Sequence, residues 1–216
     1  MKEDGTFPEE ALFTSETNLE LYHANDMTYN PKINRLIVSH GSDDKNTLSI
    51  INPETLTVES TKTLDFGFAT IAYNEKRDRY VCAISGTRYI CIMDNDFNLI
   101  NQYKAEVTDP KLVTTATTGQ GMSCDDNYLY FTFYDSTNRD IDVSTTTQIH
   151  AITVFDWDGN RIKEIAFSLP IADMKNEPEN ISVVGDTIYM EVNVAPGINN
   201  NKYSGNYLYT LDLETN

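Results

Sequence analysis

The sequence lacks the features that define several large classes of protein. No apolar run approaches the roughly 20 residues of a membrane-spanning helix, so we predict no membrane insertion. The first ten residues are acidic and polar, unlike the basic start and apolar stretch of a secretory signal. Localisation therefore stays open: the protein is extracellular if an upstream segment has been removed, and otherwise cytoplasmic.

Positive charge is also scarce. Lys and Arg number 16 against 33 Asp and Glu, which leaves a formal net charge of -17. A surface this acidic repels phosphate backbones, so nucleic acid is excluded as a partner. The acidic residues are spread through the turns, which is typical of a solvated surface.

Cysteine is rare as well, with Cys82, Cys91 and Cys124 all inside predicted strands, where they suit small buried hydrophobes. If Gly86 and Thr87 form the tip of a two-residue hairpin, Cys82 lies directly opposite Cys91. Cross-strand geometry usually strains a disulfide, so we expect free thiols.

Helical periodicity and nucleophile motifs are missing. The sequence contains no Gly-x-Ser-x-Gly, Cys-x-x-Cys, His-Glu-x-x-His or Gly-x-x-x-x-Gly-Lys pattern. It therefore identifies no reaction, and whether the chain is an enzyme stays open.

What the sequence does contain is one pattern repeated four times. Each copy has a short apolar strand, a polar turn, an aromatic-rich strand, a loop, and a strand that ends in an acidic or Asn-containing turn. A period of roughly 40 to 50 residues is typical of β-propeller blades. We predict an all-β propeller in a single domain, 1–216, with blade-like units at 23–66, 67–118, 119–173 and 174–216.

The last predicted unit lacks a strand, and the start of the chain has a segment that belongs to no unit. The last unit stops without an outer strand, while residues 11–21 precede the first unit and belong to no blade. We predict that residues 11–21 supply the outermost strand of the last blade. If a further blade has been lost upstream, the complete ring has five.

Two loops predicted to lie at one end of the ring are unusually long, 135–148 and 195–206, compared with 85–88 in the second unit. Insertions on one face of a repeat array are often binding loops. Polar residues that begin the innermost strands should converge at the same end, and together with Phe68 they form the predicted ligand-binding set: His23, Asn25, Asp26, Phe68, Gln120, Glu179 and Asn180.

Such residues could bind a divalent cation or polarise a carbonyl group, although polar side chains in a water-filled channel need no catalytic role. His40 is a weaker candidate, and His150 is interpreted as a packed blade residue. Asp94 and Asp156 begin segments that look like calcium loops, but the twelfth position holds Ala105 or Phe167 instead of Glu. Both segments are therefore predicted to be hairpin turns in which Asp binds backbone amides.

Four phrases carry a resemblance to a known group: residues 23–31, 74–80, 120–122 and 177–180. They resemble bacterial propellers of Gram-positive gut bacteria and their phages and, more distantly, gluconolactonase-like and surface-layer propellers. The similarity spans residues 19 to 213. Lactonases of that superfamily hold a metal through Glu and Asn/Asp ligands, and only Glu179 and Asn180 match such positions here.

Two functions follow as hypotheses. The first is a non-catalytic propeller that binds a glycan, peptide or protein on the face with loops 135–148 and 195–206, without a cofactor. The alternative is a metal-dependent lactonase or hydrolase at the mouth of the axial channel, with a divalent cation such as calcium. A platform within a larger surface or phage assembly is a third reading.

Overall fold

The computed structural model describes residues 21–41, 46–84, 89–105, 108, 116–135, 148–169, 174–196 and 205–212. Regular structure in these residues is entirely β, in four antiparallel sheets that we call blades 1 to 4. Blade 1 comprises β1 (Ala24–Asn30), β2 (Arg35–His40), β3 (Thr47–Asn52) and β4 (Thr57–Thr63). Blade 2 comprises β5 (Phe68–Asn74), β6 (Arg79–Ile84), β7 (Tyr89–Met93) and β8 (Leu99–Lys104). Blade 3 comprises β9 (Ala116–Cys124), β10 (Tyr128–Asp135), β11 (His150–Asp156) and β12 (Arg161–Phe167). Blade 4 comprises β13 (Met174–Val184), β14 (Thr187–Pro196) and β15 (Gly205–Asp212).

Each blade is an antiparallel meander in which successive strands are neighbours. The innermost strands β1, β5, β9 and β13 pack against one another in that order. This arrangement confirms the predicted four-bladed β-propeller. The predicted closing strand, residues 11–21, lies outside the described residues except for Leu21.

Burial follows each strand's place in its blade. In β10, every residue after Tyr128 is buried, because neighbouring blades cover both faces of a second strand. In β4, by contrast, no residue is fully buried, as expected at the outer edge of a sheet.

Three apolar clusters hold successive blades together. One joins blades 1 and 2 and includes Ile37, Leu48, Ile71 and Tyr80. A second joins blades 2 and 3 and includes Val81, Ile90, Phe131 and Phe155. The third joins blades 3 and 4 and includes Tyr130, Ile152, Ile188 and Met190. Burial between blades is therefore the main stabilising interaction.

The predicted register of the second blade is confirmed. Cys82 pairs directly with Cys91, both side chains are buried, and both thiols are free. The hairpin tip, residues 85–88, lies outside the described residues, as do most of the two long loops, 136–147 and 197–204.

The two segments that look like calcium loops are hairpin turns. Asp94 Oδ1 accepts hydrogen bonds from the backbone N–H groups of Asp96 and Asn98, each at 2.9 Å. Asp156 Oδ1 accepts from the corresponding residues, Asp158 at 3.0 Å and Asn160 at 2.8 Å. The interpretation from the sequence is confirmed, since the carboxylates are occupied by the turn itself.

Candidate functional site

All four innermost strands carry a β-bulge in the half that lies nearer the loops between second and third strands. We call this end of the propeller the mouth. The register shifts by one residue at each of these four places. The residue pairs at the shifts are Asn25–Asp26, Ala69–Thr70, Gln120–Gly121 and Glu179–Asn180. A bulge opposes two residues to one and re-aims their side chains. These bulges bring most of the predicted site residues together.

Asp26 joins three innermost strands. Its Oδ1 accepts hydrogen bonds from the Met27 backbone N–H at 2.7 Å and from Asn180 Nδ2 at 3.0 Å. Its Oδ2 accepts from the Ile71 backbone N–H at 2.9 Å. Burial outweighs these three bonds and raises the pKa of Asp26 to about 7. Asp26 thereby connects β1 to β5 and to β13, which links blade 4 back to blade 1.

Asn180 has the same local geometry in β13 as Asp26 has in β1. Asn180 Oδ1 accepts from the backbone N–H of the next residue, Ile181, at 2.7 Å. Strands β9 and β13 approach each other closely here. A Cβ added to Gly121 would lie only 2.8 Å from Asn180 Cα. The contact therefore requires glycine at position 121.

Gln120 lies between two carboxylates. Its Nε2 donates to Glu177 Oε1 at 3.1 Å and to Glu179 Oε2 at 2.9 Å. Asn193 Nδ2, from β14, donates to Glu179 Oε1 at 2.7 Å. Burial, and then the nearby charge of Glu177, raise the pKa of Glu179 to about 7. We call these four residues the acidic cluster.

The first two blades contribute backbone acceptors and a buried aromatic ring. The Ala69 carbonyl accepts from Asn25 Nδ2 at 2.7 Å and from Ser39 Oγ at 2.9 Å. Phe68 is fully buried in the cluster between blades 1 and 2, so its side chain packs in the core. His23 is exposed, and its ring lies beside Gly41, where an added Cβ would be 3.1 Å from His23 Cδ2.

The other two histidines are buried. His40 Nε2 contacts Ser49 Oγ at 2.9 Å, and the ring of Tyr22 packs edge-on against it. His150 Nδ1 accepts the Asp135 backbone N–H at 3.1 Å, so Nε2 carries the proton and donates to Asn176 Oδ1 at 2.6 Å. Burial lowers the pKa of His150. The position of His150 agrees with its interpretation as a packed blade residue.

Sequence reasoning missed Glu177 and Asn193. Glu177 is two residues before Glu179 in the same strand, and this spacing was an available signal for a shared face. Asn193 lies on the second strand of blade 4, and nothing in its sequence neighbourhood marks it.

The candidate metal ligands do not fit a metal ion as they stand. Both carboxylate oxygens of Asp26 and both of Glu179 already accept hydrogen bonds from protein groups. Asn180 Oδ1 is occupied by the Ile181 backbone N–H. Among the described residues, no three His, Cys, Asp or Glu side chains are grouped so as to hold a metal.

The described structure is a four-bladed β-propeller. Comparisons with known proteins show that it is similar to solved structures in its fold alone. No protein-family model matches the chain, and no curated protein matches its sequence. Hydrazine synthase of Kuenenia stuttgartiensis is 11% identical, with a TM-score of 0.49, over 92% of this chain and 52% of that protein. The Pan2 WD40 domain of Neurospora crassa is 11% identical, with a TM-score of 0.46, over 79% and 48%. A streptogramin B lyase is 13% identical, with a TM-score of 0.46, over 92% and 58%.

This chain thus spans about half the length of the solved structures that it matches. In the part of the chain that the structure describes, no helix is long and apolar enough to cross a membrane.

Proposed function

We propose that the chain is a non-catalytic binding propeller whose mouth receives a positively charged group of a peptide or protein partner. The observation that carries this proposal is the convergence of Glu177 and Glu179 on Gln120 Nε2, at 3.1 and 2.9 Å. The neutral Gln120 amide thus lies between two carboxyl groups. A lysine ammonium or arginine guanidinium would form stronger, charge-assisted hydrogen bonds in that place.

Charge and access support the same class of ligand. The net charge of -17 attracts cations over a distance and speeds their association. Glu179, Gln120 and Asn193 are each partly exposed, so a ligand can reach them. Asn180, the residue after Glu179, donates a hydrogen bond to Asp26 of blade 1, and Asn25 and His23 lie close to Asp26 in the chain.

The long loops 135–148 and 195–206 connect second to third strands, and the described ends of those strands, at Asp135 and His150 and at Pro196 and Gly205, lie at the mouth. We propose that they widen the binding surface around the acidic cluster. A role on a bacterial or phage surface, in line with the resemblance of residues 177–180 and the other three phrases, belongs to the same proposal.

The metal-dependent hydrolase is the less favoured reading. It would require Glu179, Asp26 and Asn180 to exchange their present protein partners for a shared cation. Their oxygens already accept hydrogen bonds from protein donors, whereas a cationic ligand would take the place of the neutral Gln120 amide.

Binding to two arrays tests the proposal: a peptide array with systematic Lys and Arg placement, and a glycan array. We expect basic peptides to bind. Their affinity should fall as the salt concentration is raised from about 50 to about 500 mM. Glu179→Gln should weaken that binding by about tenfold, the equivalent of one charge-assisted contact. The matched control is Glu75→Gln, an exposed residue in the turn at the opposite end of blade 2.

Three results would overturn the proposal. One is binding to neutral glycans alone, and another is equal weakening by the Glu75 and Glu179 variants. The third is a stoichiometric divalent ion in protein purified without chelator that is lost on Glu179→Gln, which would favour the hydrolase.

A further inference from the structure

The junction between blade 4 and blade 1 differs from the other three junctions. In blades 2, 3 and 4, the residue that follows the bulge of the innermost strand packs against the preceding blade: Ile71, Met122 and Ile181, which are 1%, 2% and 4% exposed. Strand pairing places Met27 at the same position in blade 1. Met27 is 53% exposed. The face of blade 1 that corresponds to these buried faces is therefore uncovered.

Tyr29 leads to the same conclusion. Its hydroxyl donates to Asn34 Oδ1 at 2.8 Å, just as the Tyr73 hydroxyl donates to Asp78 Oδ1 at 2.6 Å. The two tyrosines thus hold equivalent places in β1 and β5. Tyr73 packs against the apolar cluster between blades 1 and 2, whereas Tyr29 is 47% exposed.

Blade 4 has the complementary uncovered face. Tyr189 on its second strand and Leu208 on its third are 38% and 60% exposed. Strand pairing identifies their equivalents in blades 1 to 3, which are Ile37, Val81 and Tyr130 for Tyr189, and Leu48, Ile90 and Ile152 for Leu208. All six equivalents are buried in the clusters that join each blade to the next. Blades 4 and 1 thus present the two halves of one apolar junction.

Within one chain this junction is made close to the axis. Asn180 Nδ2 donates to Asp26 Oδ1 at 3.0 Å and connects the two innermost strands. Met27, Tyr189 and Leu208 nevertheless stay exposed. Both apolar halves are therefore left in contact with solvent, which is unfavourable unless another surface covers them.

We propose that a second copy of this chain covers these faces, with blade 4 of each copy packed against blade 1 of the other. The two copies open at this junction and pair reciprocally, so that their eight blades form one closed ring. The hydrogen bond from Asn180 to Asp26 is broken within each chain and forms again between the copies. The inference is independent of the ligand proposed above.

A second copy fits because the three closed junctions show which surface covers such a face. Each of them joins the same two kinds of face, the outgoing face of one blade and the incoming face of the next. Every molecule presents one open face of each kind, so two copies cover all four. A contact between two different faces is head-to-tail, and it ends in a ring when the rotation closes.

Glu191 limits the strength of this association. It is exposed on the same face of blade 4 as Tyr189 and Leu208, where the other blades have small buried residues: Ser39, Ala83 and Thr132. A carboxylate brought into an apolar junction loses its hydration, which costs free energy. We therefore expect a reversible dimer, and Glu191→Thr should strengthen it by about tenfold.

Sedimentation velocity of the full chain over a range of concentrations tests the inference. Wild type should dimerise, and more strongly as salt rises, because the net charge of -17 makes the copies repel each other. Met27→Asp and Leu208→Asp should each weaken dimerisation at least about tenfold, since each would bury a charge in the junction. Both side chains are exposed in the single chain, so both variants should fold. The control is Leu99→Asp, at a 47% exposed position on the outer strand of blade 2.

A mixture of the two variants tests the head-to-tail arrangement. In a mixed dimer, blade 4 of the Met27→Asp chain meets blade 1 of the Leu208→Asp chain, and neither of these faces is altered. The mixture should therefore associate more tightly than either variant alone. Wild type that stays monomeric at about 1 mM would overturn the inference. Equal weakening by Leu99→Asp, or a mixture that associates no more tightly than the separate variants, would also overturn it.

Discussion

Two carboxyl groups near the axis, Asp26 and Glu179, have their pKa values raised to about 7 by burial. The folded protein therefore binds protons on these groups more tightly than the unfolded chain does. A raised pKa contributes stability below the unfolded value, near 4, and that stability is lost as pH rises through about 7. Two further carboxyl groups, Asp94 and Asp156, have lowered pKa values and behave in the opposite sense.

The first prediction concerns Asp26. The free energy of unfolding should fall between about pH 4 and pH 7, by up to about 4 kcal/mol for a single pKa displaced from 3.8 to about 7. Asp26→Asn should remove most of that slope, because asparagine does not titrate. Urea unfolding at several pH values measures it. An equally steep pH dependence in Asp26→Asn would contradict this prediction, because another group would then cause it. The same measurement on Glu179→Gln would show whether that group is Glu179.

The second prediction concerns the glycine between β9 and β13. In Gly121→Ala the added Cβ would lie 2.8 Å from Asn180 Cα and 2.9 Å from the Glu179 carbonyl oxygen. Backbone atoms cannot move aside cheaply, so we expect a loss of about 2 kcal/mol or more by thermal or urea unfolding. Gly185→Ala is the comparison, with open space around its Cβ but a φ of +60°. It should cost only about 1 kcal/mol, and a smaller loss at Gly121 would contradict the close approach.

At the scale of the element, the same turn recurs at the outer hairpins of blades 2 and 3. In each, one aspartate accepts two backbone N–H groups and the Nδ2 of an asparagine four residues later, Asn98 or Asn160. These hydrogen bonds hold the pKa values of Asp94 and Asp156 below the usual range. The carboxylates thus close these exposed hairpins by accepting backbone donors that would otherwise bind water.

The third prediction concerns these turns. Asp94→Ala and Asp156→Ala should each lower the melting temperature by a few degrees at neutral pH, and the difference from wild type should shrink below about pH 4. Asp158→Ala is the control, because that side chain is exposed in the same turn. Calcium should leave all four melting temperatures unchanged. A rise with calcium in wild type that is absent from Asp156→Ala would instead indicate an ion site.

The sequence predicts strand order, hairpin turns and the Cys82–Cys91 register because those depend on local residue types and on alternation. The sequence does not predict the four β-bulges of the innermost strands. Asn25, Ala69, Gln120 and Glu179 occupy equivalent places but share no residue type, since the feature lies in the backbone pairing. The acidic cluster was predicted only in part, because Asn193 joins it through a register of β13 with β14 that the sequence does not specify.

At the scale of the whole molecule, coupling between blades runs along the chain. The three apolar clusters each join successive blades. Within the described residues, no apolar cluster joins blade 4 to blade 1, and a hydrogen bond from Asn180 to Asp26 connects their innermost strands. The energetics of such an arrangement approach those of a linear repeat array, in which each unit depends mainly on its neighbours.

The fourth prediction follows from this coupling and uses two matched isoleucines. Ile37 and Ile188 both lie in second strands and are fully buried, one between blades 1 and 2 and the other between blades 3 and 4. Each change to alanine should cost about 2–5 kcal/mol. Hydrogen exchange should then accelerate mainly in blades 1 and 2 for Ile37→Ala, and mainly in blades 3 and 4 for Ile188→Ala. Equal acceleration in all four blades would mean that the blade 4 to blade 1 junction is as strong as the others, and the linear description would have to be abandoned.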